Sequence, residues 1–358
     1  MAETQTKQVG ERGFLDRYFE ISERGSTFGR EVRGGIVTFV TMAYIVILNP
    51  IILTTTTDVA GNQLDFGQVG AVTALTAGVM TILFGIVSRL PFAFAAGLGI
   101  NAFVAFTMVG QVTWPEAMAL VLINGALIVL LAATGLRRMI FDAVPMELKI
   151  AITVGIGLFI AFIGFVNSGF VTSSDSPPVG LGVFGSVATV PTALFVITLV
   201  LTGVLVARKV KGGLLIGLVT GTLLAVIAEA TWHLGSSVDS VGGWGLTVPA
   251  LSGNPFSLPD LSLVGAVSFD FGKIGAITVV MLVFSLLFMN FFDAMGTFTG
   301  LSREAGLSDA QGNFPRLKSA LIVEGIGAVA GGLTSSSSNT VFIESGAGIE
   351  EGARTGLA

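Results

Sequence analysis

Two stretches decide the fold: Pro91-Phe-Ala-Phe-Ala-Ala-Gly-Leu-Gly-Ile-Asn-Ala-Phe103 and Thr334-Ser-Ser-Ser-Ser-Asn-Thr-Val-Phe-Ile-Glu-Ser-Gly-Ala-Gly348. Each lies where its neighbours call for a membrane span, yet neither is a good lipid-facing helix. Gly97 and Gly99 interrupt the first, and a serine run, Ser335 to Ser338, opens the second. Such segments include extended backbone, which membrane depth tolerates only when it is buried in protein or lines a cavity. The competing reading is close packing, because small residues let helices approach and the chain holds 48 glycines. Two matched, polar, interrupted segments favour a ligand site over packing alone.

The chain around them has 358 residues, 52% hydrophobic and 11% charged, with a mean hydropathy of +0.86. Soluble proteins carry about a quarter charged residues, so an ordinary water-soluble enzyme is excluded. There is no cysteine, hence no disulfide framework and no thiolate nucleophile or metal ligand. A net charge of −5 argues against a nucleic-acid partner. A spanning helix needs about 20 mostly apolar residues, and on that criterion ten spans are expected, at 36–55, 68–88, 92–109, 116–134, 148–166, 190–207, 213–231, 274–298, 317–333 and 335–349.

Lysine and arginine collect on the cytoplasmic side of a bilayer. With the N-terminus inside, this order of spans places 17 of the 18 bases in inner loops, the exception being Lys273 at the outer mouth of the eighth span. The chain is therefore expected to be a multi-pass protein of the inner or plasma membrane, in contact with lipid. Residues 1–35 form a cytoplasmic N-terminal segment in which Phe14, Leu15, Tyr18, Phe19 and Ile21 make one face of a short helix, lying on the inner leaflet or packed on the bundle. Residues 36–231 hold the first seven spans, 232–272 form an extracytoplasmic loop with Asp239, Asp260 and Asp270, and 273–358 begin a second unit. An odd number of spans before the loop means that the second unit starts on the opposite face, the arrangement of inverted-repeat transporters, whose sites form at midplane where helices break.

Ionisable groups deep in a span are costly and tend to be functional. Asp293, in Met289-Asn-Phe-Phe-Asp-Ala-Met-Gly-Thr297, and Glu344, in the tenth segment, are the two strongest cases. Either is a substrate or proton site, or a structural carboxylate that holds broken backbone. Burial disfavours the charged form of a carboxyl, which gives a physical basis for proton coupling. Asn101, Asn339 and Thr340 add neutral donors and acceptors suited to a flat polar heterocycle or another small polar solute. Glu324 lies nearer the inner end of the ninth span and reads as a scaffold contact or a side chain that snorkels to the inner face; Glu229, at the outer end of the seventh, reads as solvated.

The stretch Arg30-Glu-Val-Arg-Gly-Gly-Ile-Val-Thr-Phe-Val-Thr-Met-Ala-Tyr-Ile-Val-Ile-Leu-Asn-Pro50, with Gly97-Leu-Gly-Ile-Asn-Ala-Phe103, Phe292-Asp-Ala-Met-Gly-Thr297 and Phe342-Ile-Glu-Ser-Gly-Ala-Gly348, resembles the Azg-type adenine/guanine/hypoxanthine permeases of the nucleobase/cation symporters. The resemblance covers essentially the whole chain. It implies an all-α polytopic fold of fourteen spans in two inverted sevens, divided into core and gate domains, with short paired strands in the third and tenth segments. About ten of the fourteen spans are present, so the 358 residues are expected to be a fragment. The implied activity is proton-coupled uptake of purine nucleobases, without an organic or metal cofactor, with homodimerisation as a family expectation. The implied contacts fall on Glu344 at the purine edge, Asp293 as proton site or second anchor, Asn101, and Gly99, which allows close approach of the base. Ala96 and Leu98 stand where the family usually shows Pro and Met, and Asn339-Thr-Val-Phe342 replaces the Gln-Asn-x-Gly signature of the uracil/xanthine branch.

Other classes fit poorly. An intramembrane enzyme lacks its parts: the single histidine, His233, sits in an outer loop, and no His-Glu-x-x-His pair exists for zinc. The alternatives are an anion transporter or a pyrimidine carrier of the same fold, or a truncated chain with no activity of its own, and two midplane carboxylates disfavour the anion.

Overall fold

The computed structural model describes residues 13–136, 139–140, 145–174, 179–182, 187–208, 210, 213–237, 242–245, 248–249, 258–309 and 314–358. Lys7, Arg12, Arg137, Arg138, Lys209, Lys211 and the loop acid Asp239 lie outside them. Apolar runs bounded by capping residues give the spans their ends. Thr27 caps α2 (Phe28–Met42) by accepting from the Arg30 N–H, and Asp65 caps α4 (Phe66–Ser88) by accepting from the Gln68 N–H at 2.9 Å. These contacts satisfy donors that a helix start leaves open. Ahead of them, α1 (Phe14–Phe19) buries Phe19 and exposes Phe14, and Ile21 just beyond it is also buried, so the segment packs on the bundle by part of its apolar face only.

The first span is not one helix. It breaks at Ala43 and Tyr44 and resumes as α3 (Ile45–Leu53), which carries Pro50. A proline has no N–H to give and crowds the carbonyl four residues back, here that of Val46, so the helix start beside Tyr44 is the part that yields. The third segment is likewise broken: strand β1 (Phe94–Ala96), helix α5 (Leu98–Phe103), then a π-helical turn, Val104–Met108. There follow α6 (Trp114–Ala133), α7 (Met146–Asn167), a hairpin of β2 (Val171–Ser173) and β3 (Val179–Leu181), α8 (Val190–Ala207) and α9 (Gly213–Trp232). The hairpin was not anticipated from hydropathy. In the last part, α10 (Ala276–Glu304) runs six residues past the expected end at 298, α11 (Leu317–Leu333) matches its expected bounds, and the tenth segment divides into β4 (Asn339–Val341) and α12 (Ser345–Glu350).

Among the described residues five pieces, Phe28–Leu53, Phe66–Ser88, Trp114–Ala133, Val190–Ala207 and Ala276–Glu304, are long and apolar enough to cross a membrane. They are not equally buried. Helix α11 packs between α4 and α6, α12 lies on α2, and α10 touches both α6 and α7. Helices α8 and α9 pack chiefly on each other, and the apolar side chains of α8 are largely exposed, as expected of a lipid-facing surface. The α6–α11 contact depends on absent side chains: a Cβ on Gly125 would sit 2.4 Å from the Val329 nitrogen, and one on Gly332 2.6 Å from the Leu122 nitrogen. Lipid tails are as apolar as leucine, so such close approach supplies the packing energy instead of water exclusion.

One end of the bundle is tied by ion pairs. Glu20 meets Arg24 at 2.8 Å, Arg89 at 3.2 Å and Arg316 at 3.3 Å, linking the segment after α1 to the C-cap of α4 and the N-cap of α11. Partial burial pushes the Glu20 carboxyl up, but Arg24 and Arg316 outweigh it and hold it below the usual glutamate value. At the same end Glu31, fully buried, accepts from the Arg354 and Thr355 N–H groups and the Thr355 hydroxyl.

Candidate functional site

The two broken segments meet. Strands β1 and β4 pair antiparallel, with Phe94 opposite Val341, Ala95 opposite Thr340 and Ala96 opposite Asn339. The pairing is extended by the Gly97 N–H donating to the Ser338 carbonyl and the Phe342 N–H to the Ala93 carbonyl, each at 2.9 Å. The two segments therefore run in opposite directions where they pair. Each thereby satisfies the backbone groups that the other's missing helix leaves open.

Side chains from neighbouring helices fix the pair in place. Ser338 donates to Asn290 Oδ1 on α10 at 2.9 Å, one turn from Asp293. Asn49 on α3 donates to the Ser336 carbonyl at 3.0 Å and to the Thr73 hydroxyl at 2.8 Å, and accepts from Asn101 Nδ2 at 2.7 Å. Asn339 Nδ2 donates to the Ser336 hydroxyl and the Ser337 carbonyl, both at 3.1 Å. Ser335 and Ser337 adopt left-handed backbone, at φ of 57° and 66°. Non-glycine residues pay for that conformation and keep it only where surroundings over-determine it.

Between the paired strands, α10 and the first-span break lies a cavity of about 390 Å³, within the range of small-molecule sites. Gly99, Asp293, Thr340 and Glu344 all line it. Leu98, one of the two departures from the family pattern, lines it too, whereas Ala96 does not. Asn101 and Asn339, also expected at the ligand, are not in its wall: both are buried behind it, in the Asn49 and serine networks. The rest of the lining is mostly apolar and aromatic, including Met289, Phe292 and Phe342. Among the described residues the lining holds no Lys, Arg or His.

The hydroxyl of Tyr44, at the break between α2 and α3, donates to Glu344 Oε1, and the Tyr44 ring lies 6.2 Å from that of Phe342. Asp293 lines the same cavity as Thr340 and Glu344. Glu324 is completely buried in α11, which packs against α4 and α6, so its side chain does not snorkel to a membrane surface. Glu229 is half-buried and accepts from the Leu234 and Gly235 N–H groups and from Trp244 Nε1, shaping the loop after α9 rather than merely facing solvent.

Sequence reasoning missed Tyr44, Asn49 and Asn290. Tyr44 is one of two tyrosines in the chain and sits mid-span beside Asn49-Pro50, a signal that was there to be read. Asn290 stands one turn before Asp293 and had no distinguishing neighbour.

A bundle that encloses an acid-bearing cavity between two interrupted spans is a membrane transporter. The solved transmembrane domain of a cyanobacterial bicarbonate transporter, BicA, superposes with a TM-score of 0.56 over 92% of this chain and 78% of that one, at 16% identity, a likeness of fold alone. The permease family model (Xan_ur_permease) matches residues 29–356. Adenine permease AdeP of Escherichia coli is 34% identical over 100% of this chain and 74% of its own length. Guanine/hypoxanthine permeases PbuG and PbuO of Bacillus subtilis are 33% and 34% identical, over 96% and 95% of this chain and 75% and 74% of their own lengths. The chain belongs to this permease family and is an integral membrane protein.

Proposed function

We propose that this chain carries purine nucleobases, adenine, guanine or hypoxanthine, across the plasma membrane, driven by protons. The observation that carries the reading is the cavity itself: the carboxylates of Asp293 and Glu344, the Tyr44 phenol and the hydroxyls of Thr297 and Thr340 set in apolar walls. Such a lining accepts hydrogen bonds more than it donates them, so it suits a flat ligand rich in N–H groups. The names of the adenine and guanine/hypoxanthine relatives support the same substrate class. A small anion would meet two acids and no cation among the described lining residues, which disfavours the second reading.

In this reading Glu344 accepts from the purine edge and Asp293 takes the proton or a second ligand contact. Thr340 orients Asp293, Gly99 lets the base approach, and Asn101 and Asn339 stiffen the walls. The fold would be two inverted seven-span repeats with the N-terminus cytoplasmic. Residues 36–231 would be the first repeat, 232–272 the outer connection and 273–358 the start of the second, and two copies would associate.

The test is uptake of radiolabelled adenine, guanine and hypoxanthine into cells lacking purine transport, with and without a proton uncoupler, for the wild type, Glu344→Gln and Asp293→Asn. Saturable uptake that is lost in both variants and collapsed by the uncoupler is expected. Uptake indifferent to both substitutions would overturn the site, and uptake indifferent to the uncoupler would overturn the coupling.

A further inference from the structure

We propose that Tyr44 is a positioning and specificity residue of this cavity, holding the Glu344 carboxylate in one orientation and adding its own oxygen to the acceptor edge that reads the base. The proposal rests on the purine reading above. Four observations place the residue. Tyr44 lies at the one irregular point of the first span, between α2 and α3, and its side chain lines the cavity. Its hydroxyl donates to Glu344 Oε1. The backbone of the two elements is held together on the same side, with the Thr41 hydroxyl reaching the Glu344 carbonyl at 3.5 Å. Finally, α2 and α12 approach so closely at Gly34 and Gly348 that a Cβ on Gly34 would lie 2.8 Å from the Gly348 carbonyl oxygen.

The consequence is chemical. A carboxylate on a loosely held segment rotates among several poses, and each added rotamer dilutes the one that meets the ligand. The Tyr44 hydroxyl spends its single proton on Oε1, so the phenol oxygen can only accept from anything else. Glu344 and Tyr44 together therefore form an edge of adjacent acceptors. That edge is complementary to a ligand with two neighbouring N–H donors, such as the ring N–H and exocyclic amino group of guanine. It offers less to hypoxanthine, which has the ring N–H without the amino group. Tyr44 should then weight the site toward guanine, whereas a structural role would affect both bases alike.

The experiment compares wild type and Tyr44→Phe, as full chains in cells lacking purine transport, for guanine and hypoxanthine uptake, alongside thermal unfolding of the purified proteins in detergent. Removing the hydroxyl keeps the ring and its contact with Phe342. Losing a hydrogen bond to a charged group is expected to raise the guanine concentration for half-maximal uptake about tenfold. The hypoxanthine value should rise less than about threefold on the same scale, with the maximal rate and melting temperature close to wild type. Equal shifts for the two bases, or a change confined to maximal rate or melting temperature, would overturn the proposal while leaving the permease reading intact. A wild type that takes up neither base would overturn the proposal, and one that takes up no adenine either would overturn the permease reading with it.

Discussion

Residues 93–108 approach the cavity as a strand, turn at Gly97 and leave as α5 with a π-helical turn; residues 335–350 approach as a strand, turn at Phe342 to Glu344 and leave as α12. The architecture is shared, but the chemistry is not. The third segment brings backbone, glycine and aliphatic side chains to the cavity, while the tenth brings Thr340, Phe342 and Glu344. Both segments are pinned to neighbouring helices. Asn101 ties the third to Asn49, Thr81 accepts from the Phe94 N–H and Thr56 donates to the Ala105 carbonyl, while serines join the tenth to α10, α3 and the chain at Leu263. A carboxylate in a low-dielectric cavity is useful only where such contacts fix its pose.

The sharpest way to break this comparison is to exchange its chemistry. Glu344→Gln is expected to cut uptake at a fixed low substrate concentration by at least about thirtyfold, the lower end for losing one side of a buried charged contact. Asn101→Ala in the third segment should leave the ligand affinity nearly unchanged. It should cost stability instead, about 1–3 kcal/mol by unfolding, because Asn49 Oδ1 loses its buried donor. If Asn101→Ala weakened binding as strongly as Glu344→Gln, the division of labour would fail.

The serine run offers a finer test. Ser338→Ala removes the hydrogen bond to Asn290 and should destabilise by about 1 kcal/mol. Ser337 is left-handed and its hydroxyl has no partner among the described residues, so Ser337→Gly should be neutral or stabilise by up to about 1 kcal/mol. Melting curves of the two proteins should move in opposite directions, or at least differ in that order.

The smallest effect is expected far from either segment. The Glu20 carboxyl is held below its usual value by Arg24 and Arg316 against the push of partial burial. A depressed carboxyl stabilises the fold above its unfolded pKa and loses that contribution as pH falls through the folded one. Acid titration of stability should therefore be shallower in Glu20→Gln than in wild type across the carboxylate range, with half-saturation for purine unchanged. A change in purine affinity would show that the ion cluster reaches the cavity.

Much of this was legible beforehand for identifiable reasons. Span positions followed from apolar run length, so α8 and α11 fall on their expected bounds, while α10 overran because Thr299, Leu301 and Ser302 stay buried against the bundle after the apolar stretch ends. The strands in the third and tenth segments were foreshadowed by Gly97 and the serine run, but their register was not. Registers of three-residue strands carry no periodic signal. Asn101 and Asn339 were named for polarity at the right depth, and polarity alone does not say whether a side chain faces a cavity or a neighbouring asparagine.

By itself the sequence determined that the chain is a membrane protein, where its long apolar helices lie, that the third and tenth segments are interrupted and that Asp293 and Glu344 lie within apolar stretches, since each of these is a local cost against hydrocarbon that composition and spacing record. Only the tertiary structure decided that the breaks pair with each other, that Tyr44 from the first span reaches Glu344, and that the asparagines stand behind the wall rather than in it. Those facts depend on which elements come within hydrogen-bond reach after packing, and no window of neighbouring residues contains that distance.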